Sequence, residues 1–232
     1  RVFENDPLVV VDVGARKGFE KHWDHYRDQI KLIGFEPNKD SFEDCVQRKS
    51  NAQTTYYPYA LDRYKGDKDL YITSYLSSCS FIEFDEDVVN RFGLEDQLKV
   101  VGTERVPTID LDTFVNENNM ESIDFIKLDT EGSELDIIKG GEKTLSSVLG
   151  LSVEVEFVKF HKGQPLFSDV DQYLRAIGFE LYDLDLNRSS RKVLTQYASA
   201  NLDIGQIFFA QALYLRNPVV QMKNDKSCKE FW

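Results

Sequence analysis

The sequence predicts an α/β fold with a mostly parallel β-sheet, helices on both faces and one antiparallel strand late in the chain. Short apolar runs alternate with helix-like runs through most of the 232 residues, which is the pattern of parallel strands joined by crossover helices. Four of the five predicted core strands end close to an acidic residue. The last apolar run follows a long polar stretch without a hydrophobic crossover helix, so we expect this final strand to be antiparallel.

The first half of the chain begins with a strand at Leu8–Val13, which is rich in valine. We then expect a helix from about Gly18 to Asp28, a strand at Lys31–Glu36, a helix from Asp40 to about Lys49, and a strand at Thr54–Ala60. Pro37 separates the second strand from its helix, because proline interrupts regular structure.

An antiparallel insertion is predicted at about residues 64–108. The segments GDKDLYIT and LKVVGTERVPTIDLDTF have the composition of strands, and a serine-rich stretch, YLSSCSFIE, lies between them. A short helix is expected at Ile109–Asn116. We find no internal repeat or low-complexity linker, so we expect a single domain over residues 1–232.

The second half continues with core strands at Ile123–Leu128 and Leu149–Phe157. Ser133 is expected to cap the helix between them. A helix at Asp169–Ile177, a strand at Glu180–Leu184 and a final strand at Gln206–Leu215 complete the prediction. A parallel sheet with a late antiparallel strand differs from the plain dinucleotide-binding design. It is the Rossmann-like design of class I methyltransferases.

The composition excludes several classes of partner. The net charge is −12 and no run of five basic residues occurs, which argues against nucleic acid and against an anionic membrane surface. No apolar run reaches the roughly 20 residues of a spanning helix, so no membrane insertion is expected. The three cysteines, Cys45, Cys79 and Cys228, form no CxxC motif. This spacing predicts neither a disulfide framework nor a zinc site, and it indicates a reducing, cytoplasmic setting.

Candidate binding residues follow the strands, because ligands of open α/β sheets bind beyond the carboxyl ends of the strands. In chain order they are Asp12, Gly14, Ala15 and Gly18, then Glu36, Pro37 and Asn38, then Ala60, Leu61 and Asp62, and finally Asp129 and Glu131. His161 follows the fifth core strand and is expected at the same edge.

The first strand and its turn favour S-adenosylmethionine over a nicotinamide cofactor. The turn reads DVGARKG, which lacks one glycine of the phosphate-binding G-x-G-x-x-G pattern. Asp12 would repel a pyrophosphate but would suit an ammonium and a sulfonium. Glu36 lies 24 residues after Asp12, the usual place for an acid that accepts hydrogen bonds from ribose hydroxyls. The alternatives are a turn-capping role for Asp12 and a solvated strand end for Glu36.

Asp129, Glu131 and His161 are the candidate catalytic residues, because a hydroxyl acceptor needs a base or a metal to become nucleophilic. On an extended segment Asp129 and Glu131 would face the same side and could share a proton or a divalent ion. On a tight turn this need not hold. The alternative for Glu131 is an acid in the first turn of the helix that interacts favourably with the helix dipole. No metal site is predicted. His161 is either a base or acceptor contact, or a loop histidine.

The insertion and the fourth strand contain further candidates. Ser78 and Ser80 would contact the acceptor, or they belong to a serine-rich turn without a ligand role. Lys127 alternates with apolar residues in a buried strand, where lysine is unusual. We expect it to pair with a nearby acid such as Asp129, Glu131 or Glu154.

Five stretches together resemble the FkbM family of S-adenosylmethionine-dependent methyltransferases. They are VVVDVGARKGFE, LIGFEPN, YALDRYKGDKDLYI with SSCS after it, TIDLDTF and IDFIKLDTEGSELDIIKGG. The resemblance covers roughly residues 8–185, and its most specific part is K-x-D-x-E-G-x-E followed by a helix. It implies a class I methyltransferase fold and methylation of hydroxyls on sugars, polyketides and related metabolites. The implied partner is a small-molecule or carbohydrate acceptor.

The resemblance also implies roles for the residues that match the family pattern. Asp12, Gly14 and Gly18 would line the methionine part of the cofactor, Glu36 would hold the ribose beside Asn38, Asp62 would lie near the adenine, and Asp129 would lie closest to the transferred methyl. Two competing hypotheses remain at this point. One is a nicotinamide-dependent oxidoreductase, and the other is a catalytically silent module that only binds the cofactor.

Overall fold

The computed structural model describes residues 7–16, 18–19, 21–26, 29–48, 53–189 and 205–217. The strands, numbered along the chain, are β1 Leu8–Val13, β2 Ile30–Phe35, β3 Thr54–Tyr57, β4 Ala60–Leu61, β5 Gly66–Thr73, β6 Val100–Ile109, β7 Phe125–Leu128, β8 Gly150–Glu156, β9 Phe179–Ser189 and β10 Gln206–Arg216. The helices are α1 Lys39–Gln47, α2 Glu86–Phe92, α3 Leu111–Glu117, α4 Glu134–Lys139, α5 Glu142–Leu145 and α6 Phe167–Ala176, and two short 3-10 helices lie at Lys21–Tyr26 and Leu76–Ser78.

Seven strands form the main sheet, in the order β3-β2-β1-β7-β8-β10-β9. The pairs β1–β2, β2–β3, β1–β7 and β7–β8 are parallel, whereas β10 is antiparallel to both β8 and β9. The prediction of a late antiparallel strand is therefore confirmed. The chain passes from β1 outward to β3 and then returns to β7 on the other side of β1. This reversal of direction leaves a crevice beyond the carboxyl ends of β1 and β7.

The central strands β1, β2 and β8 of the main sheet are largely buried on both faces, which explains their nearly continuous apolar sequences. Val11 and Val13 of β1 face a large core that also contains Phe35, Phe114 and Leu128. Residues of the opposite parity pack on the other face, where the cluster of Val10, Ile30 and Leu32 lies against Phe19 and Trp23. Alternating residues of β1 therefore serve two cores, and this fixes the register of the central strand.

The insertion forms a second, three-stranded sheet in the order β4-β6-β5. The predicted antiparallel pairing is present between β5 and β6. However, the third strand ends at Tyr57 and not at Ala60 as expected, because Ala60 and Leu61 form β4, which pairs with β6 in the second sheet. Ala60, Leu70 and Val106 form a separate small core there. The second sheet stands beside the crevice of the main sheet and supplies one of its walls.

Three local predictions differ from the structure. The helix expected from Gly18 to Asp28 is a six-residue 3-10 helix at Lys21–Tyr26, where the Trp23 ring packs on Phe125 at 5.7 Å. β9 continues beyond the expected end at Leu184 because it pairs with β10 as far as Ser189. Ser133 makes no side-chain cap on α4, because its hydroxyl bonds Thr130 Oγ1 at 3.0 Å.

No helix within the described residues combines the length and apolar character needed to cross a membrane.

Candidate functional site

A pocket of about 470 Å³ lies at the carboxyl ends of β1, β2 and β7, with the second sheet opposite. Ten of the residues predicted from the sequence line it: Asp12, Gly14, Gly18, Glu36, Pro37, Asn38, Ala60, Leu61, Asp129 and Glu131. Most of the wall from the insertion comes from Leu70, Tyr75, Leu76, Ser77, Cys79 and Phe81. The pocket thus joins a polar edge of the main sheet to a largely apolar wall.

The turn after β1 lies directly against the end of β7. Gly14 has a φ of +84°, and a Cβ built at this position would be 2.0 Å from the carbonyl oxygen of Asp129. The backbone N–H of Asp129 donates to the carbonyl of Val13 at 3.2 Å. Glycine is therefore required at position 14 both by the left-handed conformation and by the close approach of the two backbones. This contact sets the distance between Asp12 and Asp129.

Glu36 is a buried acid at the end of β2, with 5% of its surface exposed. Its Oε1 accepts a hydrogen bond from the backbone N–H of Asn38 at 2.9 Å. The pKa of Glu36 is raised to about 7, chiefly by burial and also by the charge of Glu104. The Asn38 N–H and Arg16 act in the opposite direction and limit this shift. The carboxyl group therefore titrates near neutral pH in the ligand-free protein.

Asn38 connects the main sheet to the second sheet. Its Oδ1 accepts from the backbone N–H of Ser41 at 3.0 Å and so caps α1. Its Nδ2 donates to Glu104 Oε2 of β6 at 2.8 Å. The loop after Glu36 is thereby held on both sides of the pocket.

Lys127 lies between two of the candidate acids. Its Nζ is 3.0 Å from Asp129 Oδ2 and 3.5 Å from Asp12 Oδ1. The expected pairing with Asp129 is present, and the contact with Asp12 is additional. The Asp12 side chain is 5% exposed, whereas that of Asp129 is 39% exposed. Of the two carboxylates, Asp129 is therefore the one that is accessible from the pocket.

The segment from Asp129 to Glu134 is a tight turn rather than an extended strand. Glu131 has a φ of +57°, which is uncommon for a residue other than glycine. The buried carboxylate of Glu134 accepts from the backbone N–H of Thr130 at 2.7 Å, from its hydroxyl at 2.9 Å and from the N–H of Gly132 at 3.0 Å. Ser80 donates to the Glu131 carbonyl at 2.7 Å. These bonds hold the turn in a conformation that the chain alone would rarely adopt.

Asp129 and Glu131 both line the pocket, but the turn removes the alternation that would place them on the same side. Glu131 also lies before the first turn of α4, where the acids are Glu134 and Asp136. Its expected alternative role as an acid in that turn is therefore taken by Glu134.

Two further acids, Glu154 and Glu156 of β8, lie close to the acids of the turn after β7. Burial raises the pKa of Glu156 to about 9, and Glu134, Glu131 and Asp129 add to the shift. Burial and Asp129 likewise raise the pKa of Glu154 well above its ordinary value. Both acids therefore hold their protons more tightly than a solvated carboxyl group does, chiefly because they are buried.

Five predicted residues lie outside the lining of the pocket: Ala15, Asp62, Ser78, Ser80 and His161. The Asp62 carboxylate is buried against Lys68 Nζ at 2.7 Å. Ser80 is occupied by its bond to Glu131. Ser77, rather than Ser78, lines the pocket from the 3-10 helix at Leu76–Ser78.

His161 is almost completely buried, with 1% exposure. Its ring packs on Phe84 at a centroid distance of 4.5 Å, and burial lowers its pKa to about 4. Gly132 lies against the ring, since a Cβ there would be 3.4 Å from His161 Nδ1, and His161 is absent from the pocket lining. This geometry does not support direct contact between His161 and an acceptor.

Arg16 and Lys127 line the pocket but are not among the candidate site residues predicted from the sequence. The Arg16 guanidinium donates to Ser41 Oγ at 3.3 Å and to Ser77 Oγ at 3.2 Å. The basic character of the DVGARKG turn was the only signal that could have pointed to Arg16. Among the described residues, no group of three or more His, Cys, Asp or Glu side chains is arranged to hold a metal ion.

Comparison with known proteins places this site in context. The family model described as the Methyltransferase FkbM domain matches residues 12–181. The chain is 27% identical over 149 residues to the hexuronic acid methyltransferase AglP of Haloferax volcanii, covering 63% of this chain and 55% of that protein. It is 25% identical over 192 residues to the 2-O-methyltransferase NoeI of Sinorhizobium fredii, covering 73% of this chain and 72% of that protein. The chain therefore spans little more than half the length of AglP.

The fold is similar to that of a crystal structure from Listeria monocytogenes assigned as an S-adenosylmethionine-dependent methyltransferase. The TM-score is 0.50, the sequences are 8% identical, and 92% of each chain is covered. At this identity the likeness concerns the fold alone.

Proposed function

Because this chain belongs to the FkbM methyltransferase family, we propose that it transfers a methyl group from S-adenosylmethionine to a hydroxyl oxygen of a sugar or glycan-like metabolite. The observation that carries the proposal is the pocket in which Asp12, Glu36 and Asp129, from the ends of three neighbouring strands, surround the Gly14 turn. The names of the two relatives, for a hexuronic acid and for a 2-O position, support a sugar acceptor.

The residues present fit the chemistry of S-adenosylmethionine. Asp12 and Asp129 provide negative charge for its ammonium and sulfonium groups. Glu36 provides an acceptor for ribose hydroxyls, and Pro37 and Leu61 provide apolar surface for the adenine ring. The cavity volume of about 470 Å³ lies in the range of roughly 300–1,000 Å³ that is usual for small-molecule sites. Asp62, which is paired with Lys68, is less suited to the adenine contact that the family resemblance implies.

Asp129 is the residue that we propose as the base. When bound, the cofactor supplies an electrophilic methyl group for in-line displacement. The protein has to align the acceptor oxygen and remove its proton as the new oxygen–carbon bond forms. The Asp129 carboxylate is accessible from the pocket, and the contact with Lys127 Nζ at 3.0 Å orients it. Glu131 lines the same wall and is the second candidate.

Calorimetric titration provides the first test. We expect the protein to bind S-adenosylhomocysteine and not NAD. Failure to bind S-adenosylhomocysteine at millimolar concentration would exclude the proposal, and binding of NAD in its place would favour an oxidoreductase.

A transfer assay with labelled methyl groups against neutral sugars, uronic acids and small alcohols provides the second test. Asp129→Asn should lower kcat by about 10²- to 10⁴-fold, the usual contribution of a positioned base. Asp136→Asn, which changes an acid of α4 outside the pocket lining, is the matched control. Binding of the cofactor without transfer to any acceptor would favour the silent-module hypothesis.

A further inference from the structure

Arg16 is a half-buried guanidinium that faces the pocket. Arg16 lies two residues after Gly14 in the turn after β1, and its side chain reaches Ser77 in the wall formed by the insertion. Its two side-chain bonds are to the hydroxyls of Ser41 and Ser77, at 3.3 and 3.2 Å. These distances are longer than the roughly 2.7–2.9 Å that is typical of charge-assisted bonds to carboxylates. Arg16 is therefore held by weak, neutral partners.

The other cations beside this site have different surroundings. Lys127 contacts two carboxylates, and Lys68 pairs with Asp62 at 2.7 Å. Within the described ranges, Arg16 forms no ion pair at 4.0 Å or less. Arg16 is close enough to Glu36 to lower the pKa of that acid, but the two side chains form no direct hydrogen bond or ion pair.

A guanidinium presents five N–H donors in a planar fork that matches a carboxylate. The two serine hydroxyls occupy two of these donors. Removing a guanidinium from water has a cost unless an anion compensates it, and a carboxylate provides that compensation with two parallel bonds. A residue of this kind in a ligand pocket, without an acid of its own, is suited to an anion that arrives with the ligand.

We propose that Arg16 binds a carboxylate of the ligands of this pocket. The inference rests on the proposed function. Two sources offer the same chemistry, namely the amino-acid carboxylate of S-adenosylmethionine and the carboxylate of a uronic-acid acceptor. Arg16 lies where the cofactor turn meets the wall of the insertion, so both sources are compatible with its position.

The test compares ligands that differ in the carboxylate. The variant Arg16→Gln removes the charge, and Arg105→Gln is the control, because Arg105 is exposed and pairs with Asp69 on the insertion. Calorimetry measures the affinity for S-adenosylhomocysteine and for 5′-methylthioadenosine, which lacks the amino-acid part. Turnover measures kcat/KM for a uronic acid and for the matching neutral hexose. Circular dichroism and thermal unfolding verify that each variant is folded.

If the carboxylate belongs to the cofactor, Arg16→Gln should bind S-adenosylhomocysteine at least about tenfold more weakly, as expected for a lost bond to a charged group. Its affinity for 5′-methylthioadenosine should stay unchanged. If the carboxylate belongs to the acceptor, cofactor affinity should stay unchanged, while kcat/KM should fall at least about tenfold for the uronic acid and not for the hexose. Arg16→Lys, which keeps the charge but not the fork, should recover part of either loss.

An equal loss for both members of each ligand pair would mean that Arg16 only holds the serine hydroxyls, and would overturn the proposal. No change for any ligand would also overturn it. These results are distinct from failure of the proposed function, in which the native protein itself would not bind S-adenosylhomocysteine.

Discussion

Binding of S-adenosylhomocysteine should weaken as the pH falls, because Glu36 must be ionised to accept bonds from ribose hydroxyls. In the ligand-free protein its pKa is raised from 4.5 to about 7, chiefly by burial. At pH 8 about nine in ten molecules carry an ionised Glu36, whereas at pH 5.5 only about one in thirty does. If only the ionised form binds, the affinity should fall by about 30-fold between these pH values, equivalent to about 2 kcal/mol.

Calorimetry from pH 5.5 to pH 8 measures this effect. Glu36→Gln should bind more weakly than the native protein at pH 8, and its affinity should vary little across the range. Glu104→Gln should shift the midpoint of the native curve to lower pH, because the charge of Glu104 raises the pKa of Glu36. Glu117→Gln is the control, since Glu117 is an exposed acid paired with Lys65.

If the affinity for S-adenosylhomocysteine changed with pH equally in the native protein and in Glu36→Gln, the proposed dependence on ionised Glu36 would be wrong. That result would show that another group, or the ligand itself, carries the pH dependence. A native affinity that does not depend on pH would refute it equally.

Ionisation of Glu36 also affects folding. The folded protein holds this proton more tightly than the unfolded chain does. The contribution of Glu36 to the free energy of unfolding therefore falls as the pH rises from about 4.5 to about 7. Between about pH 4.5 and 7, ligand affinity should therefore rise with pH while the free energy of unfolding falls. A bound ligand that favours the ionised form of Glu36 should make the free energy of unfolding depend less on pH.

Two further substitutions test the turns that form the site. Gly14→Ala should lower the melting temperature by about 5 °C or more, because the new Cβ would lie 2.0 Å from the Asp129 carbonyl oxygen and φ is +84°. Gly102→Ala is the control, because a Cβ at that position meets no atom within 4 Å. Equal melting temperatures for the two variants would contradict the geometry of the Gly14 turn. Glu134→Gln should lower the free energy of unfolding by about 1–3 kcal/mol, because its amide NH₂ would face a buried N–H donor of Thr130 or Gly132. Chemical denaturation measures this loss, with Glu86→Gln at an exposed position as the control. A loss no larger than that of the control would contradict the role of Glu134 in the turn.

The central strands could be predicted well because burial on both faces leaves little ambiguity. β1 was predicted at its observed bounds, Leu8–Val13, and β10 was recognised as antiparallel from the missing crossover helix. The insertion was less predictable. The two residues of β4 continue the apolar character of β3, and only tertiary pairing with β6 assigns them to another sheet. Local composition contains no information about that choice.

The candidate site could be predicted where a residue's direction follows from its strand, and not where it depends on a turn. Asp12 and Glu36 close regular strands, and both line the pocket. Glu131 adopts a left-handed conformation in a tight turn that the bonds from Ser80 and to Glu134 stabilise, so strand alternation does not determine its direction. His161 follows β8 as expected, but its ring is buried against Phe84 and does not line the pocket. Sequence position locates such residues without determining which way they point.

The arrangement of charge in the pocket bears on the choice of cofactor more strongly than any single residue does. Asp12 alone is an incomplete argument against a pyrophosphate, because Lys127 Nζ lies 3.5 Å from it. The same lysine also contacts Asp129 at 3.0 Å, so two carboxylates share one positive charge. Arg16 also lines the pocket, where its guanidinium donates to the hydroxyls of Ser41 and Ser77. A ligand that carries an ammonium, a sulfonium and a carboxylate can match both this pair of carboxylates and the guanidinium, whereas a pyrophosphate would match only the guanidinium and would be repelled by the carboxylates.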